Sequence, residues 1–349
     1  MVDKELLTVR SLTVTFKSES GVVNAVNGVN LSVRRGEIAA LVGESGSGKT
    51  VTALAVMRLL PRATAAIKSG EVWFDGRDLL RLDEGHIRAI RGREIAMVFQ
   101  EPMTSLNPVM TIGVQLTESL KRHLGLSSRA ATERAAELLT MVGLSDARRR
   151  LSDYPHRLSG GMRQRVMVAI AMACEPKLIL ADEPTTALDV TIQAQVLELI
   201  TSLARRLGVA VVLITHNLGI VARYADRVHV MYAGRVVESA AAKPLYSQPM
   251  HPYTLGLLRS VPRLDRVRRE VLVGIEGNPP DMLSLPSGCA FAPRCSYATE
   301  HCGAEVPPVF NVGSAHESAC FEWERVQADL RGGQTENHGN VPDTIAANQ

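Results

Sequence analysis

An excess of charge of one sign is nearly lacking. Lys and Arg number 39 against 36 Asp and Glu in 349 residues, a net +3, with no basic block of the kind that tracks a phosphate backbone. Nucleic acid is therefore not an expected partner. Long apolar runs are lacking too: the longest, such as Val166–Cys174 and Val209–Ile214, fall well short of the ~20 residues a bilayer-spanning helix needs. Membrane contact is expected only through other subunits. Behind the acidic start Met1-Val2-Asp3-Lys4-Glu5 there is no apolar stretch of a secretory signal, so the chain is expected to begin in the cytosol. Cysteines are few, and their odd total of five argues against a disulfide framework in a cytosolic chain. No internal repeat is visible.

What is present suffices for one large domain and an appendage, since 46% of the residues are hydrophobic. Leu7–Phe16 alternates as a half-buried antiparallel strand does. Ile38–Val42 is a short unbroken apolar run, followed by a glycine-rich turn and a helix expected over Thr50–Leu60, stopped by Pro61. Leu178–Ala181, Ala210–Thr215 and Arg227–Tyr232 read as buried strands. With the helix Thr191–Leu207 between the first two, they give the βαβ pattern of a parallel sheet. Between about Pro102 and Ile170 only helical periods appear, in Ile112–Leu124 and Thr132–Val142. A helical subdomain inserted into an α/β core follows. After Ser260 the chain becomes rich in Pro, Gly and Cys, and Gly332–Gln349 reads as a polar, disordered tail.

Gly43-Glu44-Ser45-Gly46-Ser47-Gly48-Lys49-Thr50 fits the P-loop pattern, after a strand and before a helix as that pattern requires. Glycines let the backbone fold round phosphate oxygens with its N–H groups pointing inward, and the helix start adds a favourable dipole. In that context Lys49 reaches the β- and γ-phosphates of ATP and the Thr50 hydroxyl coordinates Mg2+. A second element, the apolar strand Leu178–Ala181, ends in Asp182-Glu183: Asp182 is expected in the Mg2+ shell and Glu183 as the group that polarises the attacking water. These two motifs alone indicate a nucleotide hydrolase of undefined family.

The segments between and after them narrow it. Leu158-Ser159-Gly160-Gly161-Met162-Arg163-Gln164-Arg165 resembles the signature sequence of ABC ATPases, and Ala187-Leu188-Asp189 resembles their D-loop. Met162 stands where many members have Gln. His216 matches the switch histidine that contacts the γ-phosphate, and Gln100 the Q-loop glutamine that senses Mg2+ and links the core to the helical subdomain. Phe16 falls where the family sets an aromatic against adenine, although a strand-end Phe serves equally as core. Three further segments resemble the oligopeptide/dipeptide/nickel importer branch. These are Gln100–Pro108, then His251-Pro252-Tyr253-Thr254 with Leu257-Leu258, and then Pro286–Cys295 with Cys302, Pro307 and Cys320.

The resemblance implies an ABC nucleotide-binding domain over residues 1–260, with an antiparallel β subdomain and a helical subdomain at about 102–170. A cysteine-bearing extension over 261–331 and the tail 332–349 complete the chain. It also implies an ATPase at the cytoplasmic face of the bacterial inner membrane. There ATP is clasped between the P-loop of one cassette and the signature (Ser159, Gly160, Gly161) of a second, in this branch usually a different subunit. Two permeases and an extracytoplasmic solute-binding protein complete the implied assembly, which takes up di- or oligopeptides, nickel or another small solute. Non-transport ABC ATPases acting on DNA or the ribosome usually carry tandem cassettes, coiled-coil insertions or zinc modules, and none is visible.

Cys289, Cys295, Cys302 and Cys320 have the spacing C-x5-C-x6-C-x17-C, which is neither a zinc-ribbon nor a ferredoxin pattern. By resemblance to the branch they are expected to hold a 4Fe–4S cluster. Structural zinc or four unliganded thiols are the alternatives, and either metal would staple a segment too poor in apolar residues to fold firmly alone. Cys174, on an apolar helical stretch, reads as core. The arginine clusters at 148–150 and within 266–269 read as solvated surface rather than lipid contacts.

Overall fold

The computed structural model describes residues 5–19, 21–101, 105–185, 189–260 and 274–335. Its strands are β1 (Glu5–Ser18), β2 (Gly21–Arg34), β3 (Ile38–Val42), β4 (Ala65–Phe74), β5 (Arg77–Asp78) and β6 (Ile95–Val98). They continue as β7 (Leu178–Asp182), β8 (Ala210–Thr215), β9 (Arg227–Tyr232), β10 (Arg235–Ala241), β11 (Phe310–Gly313) and β12 (His316–Ser318). A four-stranded antiparallel sheet has the order β2-β1-β4-β5, and an eight-stranded mixed sheet the order β11-β12-β10-β9-β3-β8-β7-β6. Within the larger sheet β9, β3, β8, β7 and β6 run parallel.

The parallel strands β3, β6, β7 and β8 are apolar up to the terminal Asp182 and Thr215 because both their faces are covered. Side chains alternate across a strand, so one sequence feeds two cores. Ile38, Ala40 and Val42 of β3, Ile179 and Ala181 of β7, and Val211 and Leu213 of β8 face the core shared with the helices. Ala39 and Leu41, Leu178 and Leu180, and Ala210, Val212 and Ile214 face the core under the antiparallel sheet. The helical segment, Ile112–Leu124, Ser128–Met141 and Gly160–Met172, adds Ile112, Leu116, Leu120, Ala135 and Leu139 to the first of these cores.

Three expectations change. The helix after the P-loop is Lys49–Val56 and ends four residues before the expected Leu60. Arg58 takes a left-handed φ of 51° there, and the Arg91 guanidinium supplies the stop by donating to the carbonyls of Met57 (2.8 Å) and Arg58 (2.8 Å). The extension is more regular than its composition suggests: β12 joins β10 of the main sheet, with Glu238 opposite Ser318. Its closing helix runs Trp323–Thr335, so residues 332–335 of the expected tail are helical. Residues 336–349 lie outside the described ones, as do the arginine cluster within 266–269 and Ala187-Leu188 of the D-loop-like segment. Arg148 and Arg149 are exposed, as a solvated surface is, and Arg149 pairs with Asp146 at 3.7 Å, but Arg150 is half-buried and pairs with the buried Asp153 at 3.2 Å, so it is not part of that surface. Cys174 is buried, and its Sγ donates to the Ser119 carbonyl at 3.6 Å.

Candidate active site

The turn after β3 is held by contacts that admit no Cβ. Gly48 has φ 102°, and a Cβ there would stand 2.4 Å from the Ala25 carbonyl oxygen and 2.8 Å from Met231 Cε. Gly46, at φ 79°, faces open space. After these glycines, the Lys49 ammonium folds back to donate to the carbonyls of Gly43 (2.8 Å) and Glu44 (2.9 Å) and reaches Ser47 Oγ at 3.5 Å. Thr50, one residue into the helix, donates its hydroxyl proton to Asp182 Oδ1 at 3.0 Å, which ties the loop to the end of β7.

Burial acts on both charges. It pulls the Lys49 ammonium below the ordinary lysine range against the attraction of Glu183, Asp182 and Glu44. It pushes the Asp182 carboxyl up, and the Thr50 hydrogen bond only partly offsets this. Phosphate oxygens beside Lys49 and a divalent cation beside Asp182 would each restore the charged form. Lysine, hydroxyl and carboxylate thus fit an Mg2+–triphosphate, in which the metal would neutralise charge developing on the phosphate oxygens.

At the next residue the backbone turns sharply. Glu183 has φ 41°, and its N–H extends the β7–β8 ladder by donating to the Ile214 carbonyl at 2.9 Å. Non-glycine residues rarely hold that conformation. It sets the carboxylate between two exposed groups, with Gln100 Nε2 donating to Oε2 at 3.2 Å and His216 Nδ1 lying 3.2 Å from Oε1. Gln100 follows β6, and His216 follows β8. Three strand ends therefore deliver one carboxylate, one amide and one imidazole to a single point, an arrangement suited to holding a water beside a phosphorus atom.

A cavity of about 700 Å3 connects these groups, lined by Glu44, Ser45, Gly46, Gly48, Lys49, Thr50, Gln100, Glu183 and His216, with Ala25, Leu257 and Ile275 on other walls. Gly43 and Ser47 of the loop, and Asp182 beside it, are buried and do not line the cavity. Phe16 does not line the cavity and packs half-buried against the core of the antiparallel sheet. Ser159, Gly160 and Gly161 do not line it either. Ser159 caps the helix Gly160–Met172, accepting from the Met162 N–H, and with Gly160 is exposed. Met162 lies half-buried against the helical core.

Two family profiles match this chain: ABC transporter over residues 26–186, and the oligopeptide/dipeptide transporter C-terminal region over residues 237–302. The oligopeptide transport ATP-binding protein OppD of Bacillus subtilis is 50% identical over 311 residues, covering 89% of this chain and 87% of that one. The chain belongs to the ABC transporter ATPases. The dipeptide transport ATP-binding protein DppD of the same organism is 48% identical over 318 residues, 91% of this chain and 95% of the relative. A dimeric ATP-binding cassette solved in a post-hydrolysis state with ADP and Pi has 31% identity and a TM-score of 0.61, over 68% of this chain and 98% of its own. The α/β cassette fold and the ATPase reading of the P-loop are therefore properties of this protein. Among the described residues no helix is long and apolar enough to cross a membrane.

This ABC ATPase carries its four C-terminal cysteines around one small cavity, which Phe291 and Phe321 close from the side. Cys295 Sγ accepts from the Tyr297 N–H at 3.4 Å, and the Thr299 hydroxyl lies 3.3 Å from Cys302 Sγ. Burial raises the Cys295 thiol to about 11 and the Cys320 thiol to about 12. Among the described residues, however, no group of three or more His, Cys, Asp and Glu is spaced to hold a single metal ion. That spacing supports neither the iron–sulfur cluster nor the zinc expected of these cysteines.

The sequence reading missed two site residues. Tyr253, 0% exposed, accepts the Glu44 N–H on its hydroxyl at 2.8 Å, and Arg294 forks onto the Glu44 carboxylate. Tyr253 lies in the His251–Thr254 segment already singled out, but nothing local links that segment to a loop 209 residues earlier.

Proposed function

We propose that this chain powers uptake of di- and oligopeptides across a bacterial cytoplasmic membrane. It works as a peripheral subunit on the cytoplasmic face, with two membrane-spanning permeases, an extracytoplasmic solute-binding protein and a second, different ABC ATPase. The observation that carries the reading is the likeness to oligopeptide and dipeptide transport ATPases, at 50% and 48% identity, over a span that includes the C-terminal region.

In this reading Lys49 holds the β- and γ-phosphates, while Thr50, Asp182 and Gln100 serve the Mg2+ shell. Glu183 takes the proton of the attacking water, and His216 contacts the γ-phosphate. Phe16, half-buried near the end of β1, takes the adenine edge in this reading on the family resemblance. Ser159, Gly160 and Gly161 act on the nucleotide of the partner cassette. The exposure of Ser159 and Gly160 outside the cavity supports an intermolecular role.

For the cysteines the proposed group is a 4Fe–4S cluster, on the resemblance of their positions to the importer branch and on all four lining one cavity. Visible absorption with iron and sulfide analysis of anaerobically purified protein tests it; zinc without iron would sink it. Affinity purification of the chain from its native membrane tests the whole reading. Two permeases, a second ABC ATPase and peptide-stimulated hydrolysis are expected. Recovery of ribosomes or DNA-repair proteins without a permease would overturn it, and a nickel-type binding protein would redirect the cargo.

A further inference from the structure

Glu44 is the second residue of the P-loop, and each of its polar groups is held. Its N–H donates to Tyr253 Oη, and its carbonyl accepts from Lys49 Nζ. Its carboxylate is gripped by Arg294, Nη1 to Oε2 at 2.7 Å and Nη2 to Oε1 at 3.1 Å. Arg294 comes from the C-terminal extension, 250 residues away, in the tight turn Ala292–Arg294 between Cys289 and Cys295. The Arg294 side chain is 5% exposed. Its guanidinium lies 5.9 Å from the ring centres of Tyr232 and Phe291, and its Nε donates to the Glu276 carbonyl at 3.0 Å. A planar fork held on both sides cannot drift, so the ion pair has one geometry.

Glu44 also lines the cavity in which a triphosphate binds. An unpaired carboxylate there would repel the ligand and be free to swing into its place. We propose that Arg294 is a positioning residue of the ATP site: it neutralises Glu44 and fixes the P-loop from the extension, so that nucleotide affinity depends on a contact between two regions of the chain. The proposal rests on the cavity being the ATP site, as the ABC family assignment requires.

A double-mutant cycle in the assembled transporter tests it, with KM for ATP and kcat measured separately and nucleotide binding followed with a fluorescent ATP analogue. Arg294→Gln is expected to raise KM about tenfold while kcat changes less than about threefold, because the bare carboxylate opposes binding rather than chemistry. Adding Glu44→Gln should bring KM back to within about threefold of the parent, since the offending charge is gone. A merely structural pair would not recover in this way. A double variant as impaired as Arg294→Gln, or Arg294→Gln with unchanged KM, would overturn the proposal. Should Arg294→Gln fail to assemble, Arg294→Lys gives the same reading: charge without the fork should leave KM intermediate, and a KM equal to the parent's would count against the fork. Failure of the parent to bind ATP would instead sink the ATP-site reading itself.

Discussion

At the scale of single residues the site works by crowding charges that water would otherwise separate. Glu183 stands in a left-handed conformation with an amide and an imidazole on its two oxygens, a geometry that costs backbone energy and yields a fixed acceptor at the end of β7. Glu183→Gln should keep ATP binding and lower turnover by roughly 10²- to 10⁴-fold, read as phosphate release by the assembled transporter. Unchanged turnover would refute the assignment of the base. Gly48 is the complementary case, where a missing atom matters. At Gly48→Ala the added methyl would meet the Ala25 carbonyl oxygen at 2.4 Å, in a conformation an L-residue avoids. We expect a loss of about 2 to 4 kcal/mol in urea unfolding, accompanied by weakened nucleotide binding.

Among elements, the junction of β10, β12 and the segment before the helix Pro252–Arg259 is unusual for the polar groups it buries. Glu238 on β10 accepts from the N–H groups of Met250 (2.7 Å) and His251 (3.1 Å), and His316 Nε2 of β12 lies 2.7 Å from it. Two other buried histidines are held neutral. Burial lowers His229, beside Ser239, to about 4 and His251 to about 3. Because the unfolded chain protonates histidine at ~6.5 and the folded chain does not, the unfolded state binds more protons below that pH, and stability falls as the solution is acidified. The loss runs from pH ~6.5 down to the folded values, at about 1.4 kcal/mol per pH unit for each histidine, or roughly 2 kcal/mol from each at pH 5. Urea midpoints at pH 7 and pH 5 read this directly. A midpoint that does not fall would show that these side chains have access to water.

For the whole molecule, the phosphate-binding half and the signature half of the motif set do not meet within one chain. The cavity gathers the P-loop, Gln100, Glu183 and His216, while Ser159 caps a helix elsewhere. Ser159→Arg is therefore expected to leave nucleotide binding by this chain within about twofold, yet to lower turnover of the assembly at least tenfold, as an interaction made only in the closed state should. Equilibrium nucleotide binding and steady-state hydrolysis on the same preparation separate the two effects. Loss of binding by this chain itself would mean that the signature serves its own cavity.

Short-range pattern was enough to determine much of this protein. An octet such as Gly43–Thr50 is legible because its residues stand at fixed spacing between a strand and a helix, and the runs at Ile38–Val42, Leu178–Ala181 and Ala210–Ile214 are legible because strand positions covered on both faces are apolar. Strand β10 was illegible for the converse reason. Its buried Glu238 looks like a surface residue until His316, 78 positions later, arrives beside it. The same holds for the early end of the P-loop helix, made by Arg91 from another element, and for the fork of Arg294 on Glu44. Such contacts join residues whose neighbours in the chain carry no mark of the encounter. Only tertiary packing decides them, because such a contact is specified by distance in space and not by spacing along the backbone.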